Sequence, residues 1–250
     1  MKTKGFIGLG IMGFPMAGHI SKVHPTFVYN RSPSKSHHWT DTYTGNVAES
    51  PEDLGISCEE IFICVGDDDD VREVIAGNKG LINTMQPGGI IVDHTTTSAV
   101  LSFEMHQLCL KKGVHYLDAP VSGGQAGADN GALTVMVGGD KIAYEQVTET
   151  INLYAKFSKL MGPSGSGQLT KMVNQICIAG LVQGLAEGIN FSEKAGLDTK
   201  DVIEVISKGA AQSWQMENRW ETMSLGDYAH GFAVDLSLIH ISEPTRPSSI

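Results

Sequence analysis

The sequence predicts an α/β protein with a mostly parallel sheet, and three observations carry that prediction. Short apolar runs alternate with helical stretches from the N-terminus to about residue 137. A G-x-G-x-x-G fingerprint stands between the first run and the first helical stretch. Beyond residue 162 the alternation gives way to one long, glycine-led apolar stretch that contains a single lysine, Lys171.

Taken in order, residues 4–9 read as a short buried strand, and Gly8, Gly10 and Gly13 form the fingerprint with Ile11 and Met12 inside it. Gly8 permits the tight turn, Gly10 lets backbone approach a pyrophosphate, and Gly13 lets helix and strand pack closely. A helical stretch over 14–21 then offers its N-terminal amides to the same anion. The second strand, 26–29, ends at Asn30, Arg31 and Ser32. An acidic residue there binds the ribose 2′-hydroxyl of NAD, whereas arginine accommodates the 2′-phosphate of NADP. Arg31 with Ser32 therefore predicts NADP(H) in preference to NAD(H).

Further strands are predicted over 61–65, 89–93, 114–118 and 133–137, with helices over 71–75 and 99–111 between them. Ligands of such sheets lie beyond the carboxyl ends of the strands. That rule points to Val65 and Gly66, to His94, Thr95 and Thr96, and to the segment from Ala119 to Ser122. The run Asp67 to Asp70 reads as helix capping and solvation rather than a metal site, because four consecutive carboxylates cannot all face one ion. No metal is predicted.

Residues 118–131 read as a long glycine-rich connection, in which Ser122, Gly123 and Gly124 present a hydroxyl and adjacent amides suited to a substrate carboxylate. Lys171 is the only charged residue between Lys159 and Glu187. A helix so apolar is expected to be mostly buried, and burial lowers the pKa of a lysine until it exchanges protons near neutral pH. Gln168, Asn174 and Gln175 share its face at helical spacing, which predicts a small polar pocket.

Composition narrows the function classes. A net charge of −10 over 250 residues argues against nucleic-acid partners. Cys58, Cys64, Cys109 and Cys177 have no metal-type spacing and read as reduced thiols, Cys64 and Cys177 in the core. Glycines and Pro15 interrupt the N-terminal apolar stretch, so it is not expected to be a signal peptide. No apolar run reaches ~18 residues, so no membrane partner is expected, and the reduced thiols predict a cytoplasmic protein. The segment 212–219 either lines a pocket mouth through Ser213 or Trp214 or packs between helices, and packing is expected.

Three ordered motifs resemble the β-hydroxyacid dehydrogenase family. They are Gly5-Phe-Ile-Gly-Leu-Gly-Ile-Met-Gly13, Asp118-Ala-Pro-Val-Ser-Gly-Gly124 and Gly162-Pro-Ser-Gly-Ser-Gly-Gln-Leu-Thr-Lys-Met-Val-Asn174. The resemblance implies a Rossmann-type dinucleotide-binding domain over 1–162, followed by an all-helical domain over 163–236, joined by a long helix. It implies Lys171 as general acid and base, Asn174 with Ser122–Gly124 on the substrate carboxylate, and Thr95 and Thr96 beside the nicotinamide. It also implies homodimers or homotetramers. The expected reaction interconverts a small 3-hydroxy acid and its semialdehyde or keto acid. The rival readings are a non-catalytic dinucleotide-binding scaffold and an imine-reductase-like enzyme. Residues 237–250 depart from the family pattern and resemble translated adapter sequence, so the family's last helices and second active-site lysine are expected to be missing.

Overall fold

The computed structural model describes residues 2–227; the atypical tail lies outside them. The order of elements is β1 (Lys4–Ile7), α1 (Gly13–Ser21), β2 (Thr26–Tyr29), α2 (Pro33–Thr42), β3 (Asn46–Val47), α3 (Pro51–Ser57), β4 (Glu60–Ile63), α4 (Asp68–Ala76), β5 (Ile90–Asp93) and α5 (Ala99–Leu110). There follow β6 (His115–Asp118), β7 (Val121–Ser122), α6 (Gly124–Asp129), β8 (Leu133–Gly138), α7 (Lys141–Ile151), β9 (Ala155–Gly162), α8 (Ser166–Lys194), α9 (Thr199–Ile206) and α10 (Trp214–Ser224). The chain divides into two compact units, one running to Lys171 and one starting at Met172.

The first unit is a Rossmann-type sheet. Its strand order is β3-β2-β1-β4-β5-β6-β8-β7, with β9 paired to β8. Strands β1 to β6 are parallel, and β8 runs antiparallel to β6 and β7. The order reverses between β1 and β4, which opens the crevice where such folds bind nucleotides. Both faces are covered, as the near-continuous apolar strands require. Phe6, Phe62, Val92 and Leu117 are register neighbours and enter one core cluster with Met16, Trp39 and Tyr154. Ile61, Ile91 and Tyr116 form the adjacent row and enter the other with Leu101 and Met105. This is the period-two alternation of a two-faced strand.

One buried ion pair interrupts that pattern. Lys4 Nζ donates to Glu60 Oε2 across the paired ends of β1 and β4, and Thr150 Oγ1 also donates to Glu60. Both charged side chains are buried.

Two differences from expectation lie at the far edge of the sheet. The glycine-rich connection is not a simple loop, because it carries β7 and the short α6. Strand β9 is not among the expected strands; among the described residues it pairs only with β8, and its exposed Lys156 and Lys159 suit an edge strand that faces water.

The second unit packs Leu185 and Ile189 of α8 against Ile203 and Met216, with Trp220 and Met223 alongside. An apolar cleft of about 390 Å³ lies there between the helices, and among the described residues no titratable side chain lines it. The expectation that α8 is mostly buried is overturned among the described residues: Val173, Ile176 and Phe191 are 61%, 62% and 71% exposed. The described helices α9 and α10 cover only the Leu185–Ile189 stripe. Cys177 is accordingly exposed rather than in the core, whereas Cys58 and Cys109 are buried. By length and composition α8 would also suffice to cross a membrane, so the expectation that no apolar stretch is long enough was too strict. In the segment 212–219, Met216 is buried, but Trp214 remains exposed beneath Arg219.

Candidate functional site

The turn from β1 into α1 needs its glycines. Gly8 has φ +94°, and a Cβ there would stand 2.0 Å from the Cys64 carbonyl oxygen. A Cβ on Gly13 would stand 1.9 Å from the Gly8 oxygen. Gly10 is different: a Cβ would meet nothing within 4 Å, because this residue faces open space. Those are the three roles that a pyrophosphate-binding turn assigns to its glycines.

Gly8, Gly10, Asn30, Arg31, Val65 and Gly66 line one cleft of about 730 Å³, and Ser32 lies at the same place. Ile11 is exposed on the turn, Met12 is half-buried and Gly13 is buried. Asn30 is occupied locally: its Oδ1 accepts from the Leu9 amide (2.9 Å) and its Nδ2 donates to the Ser32 carbonyl (3.2 Å). Asn30 therefore fixes the glycine turn. Arg31 reaches out at the cleft rim, 84% exposed, and donates to Asp70 at 2.7 Å.

The acidic run has four separate tasks. Asp67 accepts from the amides of Asp69 and Asp70 and caps α4. Asp68 holds the amide and hydroxyl of Ser98, Asp69 pairs with Arg72, and Asp70 pairs with Arg31. The opposition of Asp70 to Arg31 had no signal in the sequence, since 39 residues separate them.

At the carboxyl ends of β5 and β6 lies a fully buried polar network. Asp93 accepts from the Thr95 amide (2.9 Å) and from the Tyr116 hydroxyl (2.8 Å), and burial pushes its pKa up to about 6. His94 donates from Nδ1 to the Ala119 carbonyl, so its Nε2 accepts from the Tyr154 hydroxyl. Burial lowers the His94 pKa to about 4, which leaves a neutral, structural imidazole at neutral pH. Thr95 is buried and accepts the Val65 amide on its hydroxyl, while Thr96 is half-buried beside it.

Across the sheet, Gly123 (φ +136°) and Gly124 (φ +61°) turn the chain from β7 into α6, both exposed, with Ser122 half-buried before them. Lys171 Nζ donates to the carbonyl of Val121, the residue before Ser122, at 2.9 Å. Its pKa is lowered to about 8, and desolvation alone is the cause. Among the described residues no carboxylate pairs with it. Lys171 and the Ser122–Gly124 segment thus come together in the first unit. Asn174 belongs to the second unit, and its amide donates to the Gln175 side chain at 2.9 Å.

A cleft that ends on a glycine turn and a helix N-terminus, with an open Gly10 and an arginine at its rim, fits an elongated dinucleotide. Comparison with known proteins agrees. Residues 3–188 match the model of the NAD-binding domain of 6-phosphogluconate dehydrogenase. Residues 165–239 match that of the NAD-binding region of NADP-dependent 3-hydroxyisobutyrate dehydrogenase. An uncharacterized oxidoreductase of Shewanella frigidimarina is 55% identical over 94% of this chain and 81% of its own. The 2-hydroxy-3-oxopropionate reductase of Escherichia coli is 35% identical over 93% of this chain and 79% of its own. The solved 3-hydroxyisobutyrate dehydrogenase of Mycobacterium tuberculosis, with L-serine, superposes with a TM-score of 0.86 at 25% identity, covering 96% of this chain and 84% of its own. Glycine turn, sheet order and relatives converge on one conclusion: the chain belongs to the β-hydroxyacid dehydrogenase family, whose members are NAD(P)-dependent oxidoreductases of small hydroxy acids.

Proposed function

We propose that this protein interconverts a small 3-hydroxy acid and its semialdehyde or keto acid, with NADP(H) preferred and Lys171 as general acid and base. The observation that carries the reading is the Lys171 ammonium, desolvated to a pKa of about 8 and bonded to the carbonyl beside Ser122. An amine with that pKa supplies and recovers a proton at neutral pH, which a solvated lysine does poorly.

Gly8, Gly10, Gly13, Asn30, Arg31, Ser32, Val65 and Gly66 would hold the dinucleotide, with Thr95 and Thr96 along the nicotinamide. When bound, the nicotinamide supplies or accepts the hydride. Ser122, Gly123 and Gly124 hold the substrate carboxylate, and Asn174, one helical turn beyond Lys171, is assigned to it by the family resemblance. In the reducing direction Lys171 gives its proton to the developing alkoxide, and in the oxidising direction the neutral amine takes it back. Fixing the carboxylate places the reacting carbon, the largest contribution that needs no chemistry. Support for NADP(H) comes from Arg31 at the cleft rim and from the absence of an acidic side chain at Asn30.

The test is Lys171→Ala assayed with NADPH and 2-hydroxy-3-oxopropionate, beside a fluorescence titration with NADPH and with NADH. Turnover is expected to fall at least about 10³-fold while the dinucleotide Kd stays within about twofold. Near-normal turnover in the variant would overturn the assignment.

A further inference from the structure

Lys171 makes one hydrogen bond, to the Val121 carbonyl, and one bond on a long flexible side chain does not fix a proton donor. Its geometry must come from the start of α8. That helix is not capped from within its own turn. Asp118, at the end of β6, receives the Gly165 amide on Oδ1 (2.7 Å) and the Gln168 amide on Oδ2 (3.0 Å). A carboxylate from a neighbouring strand thus holds the helix N-terminus, where negative charge is stabilising. The fit around it has no slack. A Cβ on Gly167 would stand 2.6 Å from the Asp118 carbonyl oxygen, and one on Gly138 would stand 2.5 Å from Asp118 Oδ1.

The side chain of Gln168, 1% exposed, then reaches the other wall. Its Oε1 accepts from the Thr97 amide (3.2 Å) and its Nε2 donates to the Thr95 carbonyl (2.8 Å). One amide therefore joins the first turn of α8 to the segment Thr95–Thr97. The backbone of that segment is tied in turn to Asp93 through the Thr95 amide. Lys171 follows Gln168 by three residues, on the same helix face.

We propose that Gln168, seated by Asp118, is a positioning residue: it sets the distance between Lys171 and the Thr95–Thr97 segment by bonding both chain directions of that segment at once. The inference rests on Lys171 as the proton donor and on Thr95 and Thr96 lining the nicotinamide. Methionine fills nearly the volume of glutamine, so Gln168→Met removes both bonds without opening a cavity.

The full-length Gln168→Met chain is compared with wild type by amide hydrogen exchange and by turnover of 2-hydroxy-3-oxopropionate with NADPH. Exchange at Thr97 is expected to accelerate at least tenfold with the β5 amides unchanged. A misplacement near 1 Å costs about 10²-fold in rate, so kcat is expected to fall about 10- to 100-fold with NADPH affinity within twofold. If Gln168→Met does not fold, Gln168→Asn keeps a neutral amide but is one methylene too short to bond Thr95 and Thr97 at once, and the same split is expected at smaller size. Unchanged Thr97 exchange, or a kcat loss matched by an equal loss of NADPH affinity, overturns the inference. Lys171→Ala is run beside it: retained turnover there overturns the role of Lys171, whereas inactive Lys171→Ala with wild-type Gln168→Met overturns the positioning role alone.

Discussion

The pH dependence of the two reaction directions gives the sharpest test of Lys171. Burial lowers its pKa from 10.5 to about 8, a difference worth about 3 kcal/mol against the charged form. A solvated lysine at pH 7 would be neutral in fewer than about one molecule in a thousand; at a pKa of about 8 roughly one in ten is neutral. The sign differs between directions. Reduction needs the ammonium, so its kcat/KM should be flat below pH 7 and fall tenfold per pH unit above about 8. Oxidation of the hydroxy acid needs the neutral amine, so its kcat/KM should climb tenfold per pH unit and level off above about 8. Both profiles follow from initial rates between pH 6 and 10.5 at saturating dinucleotide, read by nicotinamide absorbance. Lys171→Ala should retain only a small rate with no inflection near 8. A break near 10.5 would show a solvated lysine and refute the desolvation argument, and the same inflection in Lys171→Ala would show that another group titrates.

Two further outcomes follow from features away from the lysine. Lys4→Met leaves the buried Glu60 carboxylate with only the Thr150 hydroxyl, which should cost about 3–5 kcal/mol in urea unfolding; adding Glu60→Leu should recover most of that, and a single-variant loss below about 1 kcal/mol would contradict the pairing. Asp70→Asn frees Arg31 and removes a negative charge from the cleft rim. NADPH should then bind about two- to fivefold tighter while NADH is unaffected, as suits an exposed ion pair; an equal gain for both dinucleotides would separate Arg31 from the 2′-phosphate.

The nucleotide half of the fold was legible because its signals are local. The fingerprint Gly8-x-Gly10-x-x-Gly13, the strand Thr26–Tyr29 and the apolar runs near residues 61, 90, 115 and 133 each announce themselves within about six residues. Strand β9 was not, because Ala155–Gly162 spaces Lys156 and Lys159 three residues apart, breaks the period-two alternation of a half-buried strand, and owes its form to β8. The lysine helix teaches a different lesson. Its apolar composition suggested burial along the whole length, yet Ile176 and Phe191 are exposed. Lys171 is shielded only where the first turns of α8 meet the carboxyl ends of the sheet. The ties that organise that place, Asp118 to α8 and Gln168 to Thr95, cross about 50 and 73 residues and depend on which strands become neighbours. Arg31 facing Asp70 is illegible for the same reason.

The position of β1 in the middle of the sheet has a consequence for biosynthesis. β1 is translated well before β4, and 56 residues separate Lys4 from Glu60, its register partner and counter-ion. At about 5–20 residues per second the strand waits roughly 3–11 s for that partner. During this interval it can pair with β2 on one edge only, and the backbone groups that later meet β4 stand unpaired on the other. A charged residue at the end of a waiting apolar strand discourages pairing with other nascent chains. Lys4 is such a charge at the start of β1, and it becomes the buried partner of Glu60 once the sheet closes.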